Sequence, residues 1–192
     1  SIIFDSKNYW KRLFLNQSIK FDDINTHTLI MYRRIISLLG KIKNSEPELE
    51  FSNALKYKVD KLVLKKQQNK KVLLHLTPKY RYKRWTKGGW REIIKYLYEK
   101  DFNIYISSGN SLEEQIYKNN ILTDLRYPFT DLSGKFNIKE LSYFMSKIDL
   151  YIGTDTAITH IAGYIGINTV AIFGPSNPIK WGPWPRPPFY RV

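Results

Sequence analysis

Hydrophobic positions in the second half of the chain recur with two different spacings. Short apolar runs bounded by Gly, Pro, Ser or Asn predict strands, and apolar side chains three or four residues apart predict amphipathic helices. The predicted strands cover residues 72–76, 103–107, 150–152 and 169–173, and the predicted helices cover residues 90–100, 112–119, 138–148 and a segment starting near Thr156. Strands that alternate with helices predict an α/β fold with a parallel, Rossmann-like sheet.

The first 70 residues lack an alternating strand pattern, so we predict that they are mainly helical. The apolar positions of residues 28–39 predict a helix that Thr26 caps and that Gly40 ends. Residues 55–64 fit either a second helix or an extended approach to the core. The chain is therefore predicted to divide into a mainly helical segment, residues 1–70, and a Rossmann-like domain, residues 71–192.

The turn after the 150–152 strand carries polar side chains, including Asp155, Thr156 and His160. Ligands of open α/β sheets bind beyond the carboxyl ends of strands, where this turn is expected to lie. Either Asp155 or Thr154 is expected to cap the following helix, whose free N–H groups can receive an anion such as a phosphate. On these residues alone, a simpler interpretation stays open, in which Asp155 is only a cap and His160 only packs.

Composition favours a packed globular domain and an anionic partner. The chain has 192 residues, of which 43% are hydrophobic and 15% aromatic, and no cysteine, which excludes disulfides and thiolate metal sites. No apolar run approaches the ~20 residues that span a bilayer. The formal charge of +14 suits nucleic acid, acidic lipid headgroups and phosphorylated glycans equally. Because residues 80–85 match no known nucleic-acid-binding motif, no specific nucleic acid is expected.

Three loops that follow predicted strands carry further candidate ligands. The loop after the first strand offers five groups for a phosphate, Thr77, Lys79, Arg81, Lys83 and Arg84, although a basic surface loop anchored by its tryptophans explains the same residues. After the second strand, a carboxylate of Glu113 or Glu114 fits either ribose hydroxyls or a favourable helix N-terminus. The last loop offers Ser176, Asn177 and Lys180.

Five motifs occur in one order along the chain: H-x-T at residues 75–77, K-x-W at 83–85, GK-x-x-x-x-EL at 134–141, GTDTAITHIA at 153–162, and AIFGPSNPIKWGPW at 171–184. Together they resemble the carboxyl-terminal half of the ADP-heptose:lipopolysaccharide heptosyltransferases, glycosyltransferase family nine. Residues 26–40 look like the interdomain segment of that family.

The resemblance implies a nucleotide-sugar site built from side chains at the matching motif positions. The implied contacts are with the diphosphate for Thr77 and Lys83, the ribose for Glu113 or Glu114, the adenine for Phe136, and the diphosphate and sugar for Asp155, Thr156, Ala157 and His160. Ala157 replaces a Gly of the family, so strain is expected if the position needs a positive φ. His160 is expected to titrate near neutrality and, when protonated, to donate to a phosphate oxygen.

The resemblance also implies a GT-B architecture and an inverting, metal-independent transfer of a heptose or related sugar from ADP-heptose to a lipopolysaccharide core acceptor. No cofactor and no metal site are expected. The family's catalytic base is a carboxylate of an amino-terminal Rossmann domain that this sequence lacks, so the chain is predicted to be a fragment unable to catalyse transfer alone. Its expected location is cytoplasmic, in peripheral contact with the anionic inner face of the bacterial inner membrane. A non-catalytic basic module of the same fold, binding nucleic acid or an anionic surface, is the alternative.

Overall fold

The computed structural model describes residues 2–4, 17–19, 22–40, 49–63 and 69–184. The chain forms two compact units, Ser1–Leu49 with Asn177–Gly182, and Glu50–Ser176 with Pro183–Val192. This division near residue 50 differs from the predicted one near residue 70, because the helix at residues 53–63 buries Val59 in the core of the second unit. The interdomain character of residues 1–70 stays a prediction.

In chain order the elements are β1 (Ile2–Phe4), β2 (Gln17–Ile19), α1 (Thr28–Ser37), α2 (Asn53–Val63), β3 (Lys71–His75), α3 (Lys87–Glu99), β4 (Asn103–Ser107), α4 (Leu112–Leu122), β5 (Thr130–Asp131), α5 (Ile138–Met145), β6 (Leu150–Thr154), α6 (Ala157–Ile165), β7 (Asn168–Ile172) and α7 (Pro178–Trp181). A single 3-10 turn, Arg81–Lys83, lies in the loop after β3. The predicted strands and helices of the second half are all present, with ends that move by a few residues.

The first unit contains a short parallel pair of strands, β1 and β2, that the sequence did not predict. Three residues are too few for an alternating pattern to stand out, so the prediction of a mainly helical segment did not include these strands. The cap of α1 also differs from the prediction. Its N-cap is His27, whose ring nitrogen accepts from the Leu29 N–H at 3.1 Å, and Thr26 precedes the cap. The helix ends at Ser37, before Gly40.

The second unit is built on a five-stranded parallel sheet with the order β5-β4-β3-β6-β7. Residues 71–75 of β3 pair in register with residues 103–107 of β4, and His75 lies beside Gly153 of β6. The two-residue strand β5 is not among the predicted strands, and it pairs with β4 at the edge of the sheet. The parallel α/β fold expected from the sequence is confirmed.

Both faces of the sheet are covered, because alternate strand residues point to opposite sides. On one face Leu73, Tyr105 and Tyr151 join a core cluster with α2, α5 and α6. On the other face the neighbouring strand residues, such as Leu74 and Ile106, join a cluster with α3 and α4. Leu141, Phe144 and Met145 of α5, and Ile148 after its end, are all buried.

Helix α6 ends at a glycine whose conformation other residues rarely adopt. Gly166 has φ 83°, and its N–H bonds to the carbonyl groups of Ala162 and Gly163, which closes the helix. Gly163, by contrast, lies inside the helix and is buried. Within the described ranges of the chain, no helix is both long and apolar enough to cross a membrane.

Candidate functional site

The strand order reverses between β3 and β6, so a ligand crevice is expected at the carboxyl ends of these two strands. From β3 the chain proceeds outward through β4 to β5, whereas β6 begins on the other side of β3 and leads to β7. Connections that leave two adjacent strands in opposite directions open a crevice at their carboxyl ends, where ligands of open α/β sheets bind. The loops at this point are residues 76–86 and the turn at Asp155 and Thr156.

An ion pair joins these two loops. Lys83, at the end of the 3-10 turn, places its Nζ 2.6 Å from Oδ2 of Asp155. The Asp155 side chain is 6% exposed and that of Lys83 is 19% exposed, so the pair is largely withdrawn from solvent. Each charge of such a pair depends on the other, because removal of one leaves the other largely buried without a counter-charge. The structure thus brings together two residues that the sequence predicted for one site.

The N-cap of α6 is Thr156. The prediction that either Asp155 or Thr154 caps this helix was therefore wrong. The Thr156 hydroxyl accepts from the Thr159 N–H at 3.4 Å, while the Thr159 hydroxyl donates to the Thr154 carbonyl. The Tyr151 hydroxyl lies 2.9 Å from the Thr159 hydroxyl. Burial raises the pKa of the Tyr151 phenol. Because Thr156 makes the cap, the carboxylate of Asp155 is available to Lys83.

The amino-terminal end of α6 lies next to this ion pair. The first N–H groups of an α-helix have no partner inside the helix and carry a partial positive charge, which favours an anion. Ala157 is the first helical residue and is exposed, and it is not among the described non-glycine residues with positive φ, which are Asp101 and Asp124. The strain expected from replacing Gly is therefore absent. One turn further, His160 places Nε2 3.9 Å from Oδ1 of Asp155.

A second set of charges holds the same loop from the other side. Glu113, in the first turn of α4, accepts from Nε of Arg81 and, at 2.7 Å, from Nη2 of Arg84. The hydrogen bond from Arg81 lowers the pKa of the Glu113 carboxyl. The Glu114 carboxylate instead binds Ser111, with which it forms a reciprocal capping box. Of the two carboxylates left open by the sequence, Glu113 is therefore the one that faces the loop.

Thr77 and His75 connect the carboxyl end of β3 to that of β4. The Thr77 hydroxyl accepts from the Gly109 N–H at 2.7 Å, and Nδ1 of His75 lies 2.9 Å from the Ser107 hydroxyl. Both residues are buried. Burial lowers the pKa of His75 to about 4, so its ring is neutral at physiological pH. Gly109 leaves room for the folded-back Glu114 side chain, since a Cβ there would approach that carboxylate to 2.0 Å.

The other predicted site residues lie outside this cluster of contacts. Phe136 is half-buried and packs against Phe144, with ring centroids 6.2 Å apart. Its proposed contact with an adenine stays a prediction. Asn177 and Lys180 belong to the first unit, where Asn177 donates to the Ile24 carbonyl at 2.6 Å and Lys180 pairs with Asp23.

Sequence reasoning missed several contacts around the basic loop. The guanidinium of Arg84 lies 4.8 Å from the ring centroid of Tyr117, whose hydroxyl donates to the Trp85 carbonyl. The rings of Tyr80 and Tyr82 stack on each other. The contacts between this loop and α4 join residues about 30 positions apart, so no local pattern indicates them.

Metal ligands are not grouped in the described part of the chain, where no cluster of three His, Asp or Glu side chains is arranged to hold an ion. The expectation of metal-independent chemistry nevertheless stays a prediction.

Comparison with known proteins finds related heptosyltransferases. The chain is 24% identical over 174 residues to the lipopolysaccharide core heptosyltransferase OpsX of Haemophilus influenzae, covering 90% of this chain and 49% of that protein. It is 28% identical over 164 residues to lipooligosaccharide heptosyltransferase 2 of Campylobacter jejuni, covering 82% and 50%. It is 27% identical over 114 residues to lipopolysaccharide heptosyltransferase 3 of Escherichia coli, covering 59% and 34%. The chain thus spans half or less of the length of these relatives.

Solved structures share the fold. A glycosyltransferase family 9 protein of Veillonella parvula superposes with a TM-score of 0.76 at 19% identity, over 95% of this chain and 53% of that one. The ADP-heptose lipopolysaccharide heptosyltransferase II of E. coli gives 0.67 at 18% identity, over 89% and 55%. The family profile of glycosyltransferase family 9 (heptosyltransferase) matches residues 5–187. The chain therefore belongs to glycosyltransferase family 9, the heptosyltransferases.

Proposed function

We propose that the second unit binds the diphosphate of a nucleotide-sugar donor, ADP-heptose, at the carboxyl ends of β3 and β6. The whole protein would transfer the heptose to a lipopolysaccharide core acceptor. The observation that carries this proposal is the ion pair between Lys83 and Asp155 beside the N-terminus of α6, at the point where the strand order reverses. An ammonium group and a helix N-terminus together suit a diphosphate.

The relatives support the choice of donor and acceptor. Their names describe heptosyltransferases of lipopolysaccharide and lipooligosaccharide, and a heptosyltransferase of E. coli has been solved with ADP. That structure superposes on this chain with a TM-score of 0.64. Because the chain spans about half of such proteins, the acceptor and the complete reaction are proposed for the whole protein only.

The proposed chemistry is an inverting transfer in which the nucleoside diphosphate departs. Negative charge grows on the diphosphate as the bond to the sugar breaks, and Lys83 with the N–H groups of α6 would stabilise that charge. The base that activates the acceptor hydroxyl is expected in an amino-terminal Rossmann domain, outside this sequence. We also propose that the protein lies in the cytoplasm and contacts an anionic membrane peripherally. The reason is that the names of the relatives give lipopolysaccharide as the acceptor.

Calorimetric titration with ADP tests the proposed donor site. The wild-type chain is expected to bind ADP, and Lys83→Ala is expected to weaken binding at least about tenfold because it removes the ammonium group from the diphosphate. Asp155→Ala is expected to weaken binding less, because it removes the anchor of Lys83 and leaves the charge in place. UDP and GDP, titrated in parallel, identify the preferred base.

Lys58→Ala is the matched control. Lys58 also pairs with a carboxylate at 2.6 Å, that of Glu140, in the same unit but in contact with α5. Equal losses of ADP affinity in Lys58→Ala and Lys83→Ala would contradict the proposal. Absence of nucleotide binding, together with salt-sensitive binding of DNA of any sequence, would instead support the basic-module alternative.

The role proposed for His160 predicts a pH-dependent affinity. An imidazole near Asp155 that donates to a phosphate only when protonated makes ADP bind more tightly as the pH falls from 8 towards 5.5. Titrations at both ends of this range are compared in wild type and His160→Ala. A flat profile in the wild-type chain, or the same slope in the variant, would show that His160 does not serve the phosphate.

A further inference from the structure

Two exposed tyrosines contact each other in the loop after β3, beside the candidate donor site. The rings of Tyr80 and Tyr82 stack with centroids 5.7 Å apart and an interplanar angle of 21°. Although they cover one another in part, the two residues are 53% and 59% exposed. Adjacent aromatic rings that remain open to solvent offer a ready surface for a ligand.

Positive charges flank this aromatic pair. Nζ of Lys79 lies 5.9 Å from the ring centroid of Tyr80, and Nζ of Lys83 lies 5.9 Å from that of Tyr82. Because Lys83 also contacts Asp155, the rings adjoin the proposed diphosphate site directly. Lys79 is exposed and brings an ammonium group in addition to the one proposed for the donor.

These groups together match one class of ligand. The C–H faces of a sugar pack well against aromatic rings, and an ammonium group binds a phosphate. We propose that Tyr80, Tyr82 and Lys79 form a subsite for a phosphorylated saccharide, the acceptor of the transfer, next to the donor. This subsite rests on the proposed function, because it takes the neighbouring diphosphate site to be occupied by the donor. The donor diphosphate engages Lys83 and α6, which leaves Lys79 for a phosphate on the second sugar.

The test uses a phosphorylated, deacylated lipopolysaccharide core oligosaccharide as the probe, titrated into the chain with and without saturating ADP. The Tyr80→Ala/Tyr82→Ala double variant is expected to lose about tenfold in affinity for the probe, while its ADP affinity stays within about twofold. Tyr80→Phe/Tyr82→Phe keeps the ring faces and is expected to bind the probe nearly as well as wild type. Treating the probe with phosphatase is expected to weaken wild-type binding and to have little effect on Lys79→Ala.

Tyr96→Ala is the matched control, because Tyr96 is also 59% exposed and also has a lysine, Lys100, with Nζ 5.8 Å from its ring centroid. The subsite is overturned if wild type does not bind the probe, if the double variant binds it as well as wild type does, or if Tyr96→Ala loses as much affinity. Equal losses of ADP and probe affinity in the double variant would assign the rings to the donor instead, which also overturns the subsite. If wild type fails to bind ADP, the donor proposal fails, and the titration without ADP still decides whether the rings bind the saccharide.

Discussion

Two strand–turn–helix junctions flank the carboxyl end of β3, and they use their polar residues in a similar way. In each, one residue caps the helix and a neighbouring carboxylate reaches the basic loop at residues 76–86. Thr156 caps α6 while Asp155 pairs with Lys83, and Ser111 caps α4 while Glu113 pairs with Arg81 and Arg84. Because another residue caps each helix, a carboxylate from each junction can form an ion pair with the basic loop.

The two junctions differ in how far their charges are withdrawn from water. The side chain of Asp155 is 6% exposed and has one cationic partner within 3 Å, whereas that of Glu113 is 47% exposed and has two. Charges near the surface are screened by water and salt, and buried charges depend on their partner. The junction at Asp155 should therefore matter for folding as well as binding, and the one at Glu113 mainly for binding.

Breaking each ion pair in turn gives the largest expected difference. Lys83→Met leaves the Asp155 carboxylate buried without its cation, so we expect the free energy of unfolding to fall by about 3 kcal/mol. Arg81→Met leaves Glu113 half-exposed and still paired with Arg84, so the urea midpoint of this variant should be close to that of wild type. Urea denaturation followed by circular dichroism measures both.

The double variant Lys83→Met/Asp155→Asn is the control for this comparison. It removes the buried charge together with its partner, so it should be more stable than Lys83→Met alone. Equal decreases of the urea midpoint in Arg81→Met and Lys83→Met would contradict the proposed difference in stability between the two junctions.

His75, which lies between the two junctions at the end of β3, predicts a pH-dependent stability. Burial lowers its folded-state pKa to about 4, below the unfolded value of about 6.5, so the unfolded chain takes up a proton first as the pH falls. Stability should therefore decline from about pH 6.5 to about pH 4, by up to about 3 kcal/mol. Denaturation midpoints measured across this range check the slope.

A variant separates His75 from the other titrating groups. His75→Asn should remove this slope, and His160→Asn should retain it, because His160 is more exposed than the buried His75. The carboxylates with lowered pKa, such as Glu113, contribute stability that is lost as the pH falls through about 4.5 and below, so the upper part of this range reports on His75. A slope between pH 6.5 and pH 4 that persists unchanged in His75→Asn would show that another group causes it.

The smallest expected effect concerns the more exposed junction. If Glu113 binds the ribose of the donor, Glu113→Gln should weaken ADP binding about fivefold and leave the affinity for 2′,3′-dideoxy-ADP nearly unchanged. Glu114→Gln serves as the neighbouring control, because the Glu114 side chain is held by Ser111 in the capping box of α4. Equal losses for both nucleotides in Glu113→Gln would indicate that the residue acts by holding the basic loop and not by contacting the ribose.

Much of the second unit could be predicted because its strands and helices have strong local patterns. The four predicted strands and the predicted helix at residues 138–148 are present as β3, β4, β6, β7 and α5. Predictions failed where the local signal was weak. The strands β1, β2 and β5 have only two or three residues each, and the cap at Thr156 has equally suitable neighbours, Asp155 and Thr154.

The sequence by itself determined the α/β class, the family and the residues expected at the donor, since five ordered motifs and a regular hydrophobic pattern are local properties. Only the tertiary structure decided which of those residues meet. It paired Lys83 with Asp155, chose Glu113 over Glu114 to face the basic loop, buried Thr77 beneath it and placed Asn177 in the other unit. These contacts join residues far apart in the chain, so they depend on the order of the strands, which no local pattern specifies.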